Sequence, residues 1–271
     1  MSERQLAAFA AKHAHQIPFD TSPRHLAGPG DARHVTHALA TAGWSVTSDT
    51  LSPEIVLRSP DRRLTLQFDP QSPTAAWWRL RAEPTDTEPR WYTEFGELVP
   101  AEILGRLTDA LITPPPTKPP APFQILEAAG WTRDTVTTAL SPDGMCHVEQ
   151  RPDQDRVPGY WHIDTCEPGH GTPRGPRIWH AWLPDPLPAH LTSAFLAGLA
   201  STSPLQRGMY DHIASHGVVQ KPSPFTPEQV IAAHTGRLAA LRAQVRAARR
   251  PAPNPAPAQA APGTARPATR R

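Results

Sequence analysis

The chain repeats itself, and an internal repeat constrains a fold more tightly than any composition can. Ala42-Gly43-Trp44 recurs as Ala129-Gly130-Trp131, and Ser59-Pro60-Asp61 recurs as Ser141-Pro142-Asp143. Trp78 with Glu83-Pro84 returns as Trp161 with Glu167-Pro168. Trp91, Phe95, Pro100, Ile103, Leu107 and Leu111 return as Trp179, Leu183, Pro188, Leu191, Phe195 and Leu199, each 88 positions later. Ordered matches of this kind indicate two copies of one structural unit of about 85 residues. The recurring residues are apolar, aromatic or turn-forming. They specify an architecture and carry little chemistry.

Within each copy the local patterns agree. In the first, Trp44–Thr47, Glu54–Arg58, Leu64–Phe68, Trp77–Arg81 and Trp91–Phe95 read as short strands separated by turn residues. Leu64, Leu66 and Phe68 alternate with Thr65 and Gln67, the period of a strand with one buried and one wet face. Asp31 precedes a helical stripe that stops at Gly43. Pro100 opens a closing helix with Ile103, Leu104, Leu107 and Leu111 on one side. The second copy predicts a helix over 122–129, strands near 131–133, 136–140, 145–150, 160–165 and 178–183, and a helix from about Leu187 to Ala200. The fold class is therefore α+β: two tandem repeats, each an antiparallel β-meander flanked by helices, followed by a C-terminal helix and a disordered tail.

The boundaries follow from composition. Residues 1–24 form an N-terminal helix and loop, 25–113 the first repeat and 114–121 a proline-rich spacer. The second repeat spans 122–204 and a connector 205–226. Over 227–250, Thr226-Pro227-Glu228-Gln229 starts a helix with a cap, a proline and a capping-box glutamine. Its stripe of Ile231, His234, Leu238, Leu241 and Val245 predicts docking on the protein's own body. Residues 251–271 are mostly Pro, Ala and Arg, a composition that cannot bury a core. The net charge of +2 hides an asymmetry: eight arginines and one acid lie beyond Thr226, so the rest is acidic. Arg237, Arg242, Arg246, Arg249 and Arg250 are the candidate contacts to nucleic acid, which such an arm binds weakly and without sequence preference.

The Ser-Pro-Asp turn, the preceding Ala-Gly-Trp, the tryptophan strand and the Trp-x-x-x-Phe/Leu, Pro-x-x-Ile/Leu closing helix resemble the actinobacterial SPDY domain family, domain of unknown function 317. The lead-in Ser22-Pro23-Arg24-His25-Leu26-Ala27-Gly28 is similar to the family's usual start. The resemblance covers roughly residues 22–204 as two tandem copies. Neither copy keeps the tyrosine of the name; Arg62 and Gly144 stand there. The resemblance implies a Streptomyces-like source, which the excess of Arg over Lys also suits. It implies no activity and no catalytic residue.

No residue set carries a recognisable chemistry. His162, Cys166 and His170 with Cys146 and His147 offer zinc-type ligands, but residues four apart on a strand lie roughly 13 Å apart. Ser-Pro-Asp reads as a type I turn joining strands. Glu83 and Glu167 read as strand exits. No nucleophile elbow, P-loop or dinucleotide fingerprint is present. We expect no catalytic residue, no cofactor and no bound metal. Two cysteines, no signal peptide and no apolar run near 20 residues predict a soluble cytoplasmic protein without a membrane partner. Trp77 and Trp78 point to opposite sheet faces, as do Tyr160 and Trp161. The outer aromatics, beside Arg79 and Arg81, could stack on bases, but we expect the two units to bury them against each other. The predicted function is a non-enzymatic module binding a protein partner, with nucleic-acid association through the basic arm as the alternative.

Overall fold

The computed structural model of the chain describes residues 3–49, 51–74, 76–154, 158–169 and 174–249. The expected disordered tail, together with Arg250 and His170, lies outside the described residues. The elements run α1 (Glu3–His13), β1 (Pro18–Ser22), α2 (Arg33–Thr41), β2 (Ser45–Val46), β3 (Ile55–Arg58), β4 (Leu64–Phe68), β5 (Ala76–Ala82), β6 (Trp91–Gly96) and α3 (Ala101–Ile112). They continue with α4 (Pro122–Ala128), β7 (Thr132–Thr135), β8 (Thr138–Leu140), β9 (Cys146–Arg151), β10 (Tyr160–Cys166), β11 (Arg177–Pro184), α5 (Ala189–Ala200), β12 (Leu205–Gly208), β13 (Val219–Pro222) and α6 (Pro227–Ala248). The fold is α+β, and each repeat is a five-stranded antiparallel meander closed by a helix.

The two meanders form one ten-stranded sheet, in the order β2-β3-β4-β5-β6-β11-β10-β9-β8-β7. They join through their last strands, with Ala181 opposite Phe95 and Trp182 opposite Glu94. Glu94 and Trp182 hold the same repeat position, so the pseudo-two-fold axis of the duplication passes through that pair. This corrects the expectation that the units bury matching faces against each other: they meet edge to edge. The physical reason is the strand edge. Two isolated meanders would leave four rows of unpaired backbone groups, and joining β6 to β11 satisfies two of them.

Helices cover one face of the sheet. α3 packs on α5 across the axis, with α2 beside α3 and α4 beside α5. The rings of Phe95 and Phe195 meet beneath them at 5.2 Å. The six repeated tryptophans, Trp44, Trp78, Trp91, Trp131, Trp161 and Trp179, are all buried in this layer.

Outside the repeats the structure departs from the sequence reading. The stretch between the first helix and residue 24 reads as a loop, yet β1 is the central strand of a second sheet, between β12 and β13. Its partners lie more than 180 residues away in sequence, so no local alternation announces them, and Pro18 and Pro23 bound it closely. α6 begins with the full capping box: Gln229 N–H donates to Thr226 Oγ1 and Thr226 N–H to Gln229 Oε1. It docks on the body through His234, Leu238, Leu241 and Val245, against α1 and α2.

The Ser-Pro-Asp segment is the same hydrogen-bonded turn in both copies. The backbone N–H of Arg62 donates to Ser59 O, and that of Gly144 to Ser141 O, both at 2.9 Å. Each serine hydroxyl donates to its aspartate and accepts the N–H five residues on, from Leu64 or Cys146. Each aspartate also accepts the N–H two residues on, from Arg63 or Met145. The motif residues thus close a hairpin, and in the second copy Asp143 also pairs through its other oxygen with His25 Nε2 at 2.8 Å. The fourth residue is left-handed, with φ of 62° at Arg62 and 74° at Gly144. A β-carbon at Gly144 would meet no atom within 4 Å, so only backbone strain opposes it. Gly144→Ala is expected to cost about 1 kcal/mol in a urea melt; an unchanged midpoint would show that the turn relaxes to another geometry.

Candidate interaction surface

The helix-free face of the sheet is built by the alternate residues of the same strands. Trp77 and Arg79 of β5, Tyr92 and Glu94 of β6, His180 and Trp182 of β11, and Tyr160, His162 and Asp164 of β10 are half-buried, while their strand neighbours are buried. A row of side chains crosses five adjacent strands. Tyr92 and Tyr160 flank Trp182 with ring centroids at 6.3 and 6.0 Å. The Arg81 guanidinium lies 6.0 Å from the Tyr92 ring centre and that of Arg151 lies 5.7 Å from Tyr160. Cation–aromatic contacts of this kind hold the rings in place.

Beside the aromatic row runs a polar one. Tyr92 donates its hydroxyl proton to Glu94 at 2.9 Å. His180 Nε2 stands 3.6 Å from Glu94, and His162 Nδ1 stands 3.1 Å from Asp164. Burial pulls the His180 imidazole below its ordinary pKa and pushes the Tyr92 hydroxyl up, the latter helped by its bond to Glu94. His180 Nδ1 has no hydrogen-bond partner.

The two copies keep one face and change the other. On the covered face, Trp78 corresponds to Trp161, Leu80 to Ile163, Trp91 to Trp179 and Phe95 to Leu183. On the open face, Trp77 and Tyr160 keep an aromatic ring, but Arg79 corresponds to His162, Arg81 to Asp164, Tyr92 to His180 and Glu94 to Trp182. Core packing explains the first set. The second set makes the surface asymmetric about an otherwise two-fold sheet.

The other residues singled out in the sequence do not converge. Of the α6 arginines, Arg237 is held by both oxygens of Asp109 at 2.8 and 2.6 Å, and Arg249 donates to Ala42 O. Arg242 and Arg246 face solvent, one turn apart. Cys146 and Cys166 are buried free thiols whose pKa burial raises. His162 points away from Cys146, to the open face. Among the described residues, no group of three or more His, Cys, Asp or Glu is placed to hold a metal. Glu83 pairs with Arg90, whereas Glu167 accepts from Ser215. No described helix is long and apolar enough to cross a membrane. Sequence reasoning had marked Trp77, Tyr160, Arg79 and Arg81. It missed Tyr92, Glu94, His180 and Trp182, whose signal was the same alternation on the two joining strands.

No curated protein and no solved structure matches the chain. The sequence matches the SPDY domain, a domain of unknown function (DUF317), over residues 58–117 and again over residues 140–205. These segments contain the Ser-Pro-Asp turns, the joining strands β6 and β11 and the helices α3 and α5 that pack across the axis. The chain therefore carries two tandem SPDY domains fused into one sheet.

Proposed function

We propose that the tandem SPDY domains act as a non-enzymatic, cytoplasmic interaction module whose docking surface is the open face of the ten-stranded sheet. The partner is a protein. The observation that carries this reading is the Arg81–Tyr92–Trp182–Tyr160–Arg151 row, present on the face that differs between the copies. Trp, Tyr and Arg are the residues that dominate protein interfaces, because each offers a large rigid contact area with a polar handle. Five strands at about 4.8 Å spacing make a patch roughly 20 Å wide, the scale of a standard interface.

Photo-crosslinking in cells tests it. A photoactivatable phenylalanine analogue at position 160 is expected to give a discrete protein adduct, and at the exposed position 244 on α6 none. The adduct should disappear in Trp182→Ala with the melting temperature unchanged. Adducts from position 244 alone, or an adduct from position 160 that survives Trp182→Ala, would reject the surface. Arg242 and Arg246 on α6 support the second reading, nucleic-acid binding. That reading takes over if a labelled duplex binds at about 50 mM salt, weakens steeply by 200 mM, ignores Trp182→Ala and is lost with Arg242→Ala plus Arg246→Ala. Truncating α6 is not a fair control, since its buried face belongs to the core.

A further inference from the structure

On the helix side, residues of α1, α2, α3, α6 and β12 line a cavity of about 560 Å³ that is open to solvent on one side. Arg24 lines it and is only 8% exposed. Its Nε has no hydrogen-bond partner, and it forms no ion pair within 4 Å among the described residues. The nearest acid is already committed. Both Glu102 oxygens accept from Arg207, at 2.6 and 3.0 Å, and Arg207 is itself buried and further held by Ala27 O and Gly28 O. Asp109 is taken by Arg237, and Asp31 by His13, Lys12 and Arg33. Arg106, on the cavity wall, also lacks an acid within 4 Å among the described residues. Three arginines, Arg24, Arg106 and Arg237, thus line the cavity with one carboxylate, Glu102, which is already paired with Arg207.

A guanidinium removed from water without a counter-charge costs several kcal/mol. Proteins keep such a group where a ligand supplies the missing charge. The rest of the wall says what else that ligand carries. Leu205, Phe225, Val230 and Ala233 give an apolar lining, and Gln206 Oε1 and His234 Nδ1 are further buried polar atoms without partners. The volume is that of a small-molecule site.

We propose that this cavity binds a small organic oxyanion, a carboxylate or phosphate monoester with an apolar body, using Arg24 as its counter-charge and Arg106 as a second cation. Arg24, His34 and His234 lie outside both matched SPDY segments, whereas Glu102, Arg106 and Leu205 lie inside them, so the site is shared between the paired domains and the segments around them. It is independent of the sheet face on the opposite side.

Calorimetric titration of the full chain with octanoate, octyl phosphate and 1-octanol tests the proposal. One or both anions should bind saturably at one site, and the alcohol should not; the better anion identifies the head group. Arg24→Met should weaken binding at least tenfold and raise the melting temperature of the ligand-free protein, because it removes an uncompensated buried charge. Arg106→Gln should weaken binding severalfold with the melting temperature unchanged. Failure of both anions to bind, equal binding by Arg24→Met, or a lower melting temperature for ligand-free Arg24→Met would overturn it.

Discussion

Trp179→Ala is expected to destabilise the chain by about 3–5 kcal/mol, the range for emptying a large buried aromatic site. Trp179 is 1% exposed, between the central strands and the crossing helices. Its indole N–H also donates to His25 O at 2.7 Å, so the truncation leaves a buried carbonyl without its donor. At roughly 2–4 °C per kcal/mol for a chain of this size, the melting temperature should fall by about 10 °C. Trp182→Ala, one turn of the pleat from the core face, is the internal control and should change it little. A melt of Trp179→Ala within a degree or two of the parent would mean that the tryptophan does not sit beneath α3 and α5.

The second large effect is on acid stability. Burial pushes the His34 imidazole down to about 4 and that of His234 down to about 3; for His234 the neighbouring His34 and His37 add to the effect. Both imidazoles are neutral in the fold and take up protons near 6.5 when unfolded. Their contribution is complete above pH 6.5 and is lost progressively as the pH falls from there to the folded values. Glu102, held down to about 2 against the cost of its burial by Arg207 and His34, adds a further loss below about pH 4.5. With each unit worth about 1.4 kcal/mol per group, lowering the pH from 7 to 4.5 should cost on the order of 4 kcal/mol. His234 stacks on Phe9 with centroids 3.9 Å apart, so His234→Phe should keep the packing and flatten the slope. A urea midpoint that is level between pH 7 and 4.5 would show that these imidazoles are not buried in neutral form.

The histidine cluster and the sheet face mark where local sequence stops being informative. Strands such as Leu64–Phe68 and the capped start of α6 are written in neighbouring residues, so period and cap chemistry identify them directly. Trp77 and Tyr160 could be assigned to the face opposite Trp78 and Trp161 on the same ground. That they line one surface with Trp182 at its centre depends on β6 meeting β11, and edge pairing leaves no mark beyond the alternation both strands already have. Arg24 shows the limit more sharply. In the sequence it is one polar residue of a proline-rich lead-in; its burial depends on elements from both ends of the chain.

The amino-acid sequence alone determined the duplication, the meander-and-helix unit, the Ser-Pro-Asp turn and the tryptophans of the core, because these rest on contacts between residues close in the chain and are written twice. Only the tertiary structure decided that the copies join by their edges, that the described helices pack on one sheet face, and that the Nε of a largely buried arginine is left without a partner. Those outcomes depend on backbone groups and charges separated by tens to hundreds of residues, whose competition for partners is settled when the chain closes on itself.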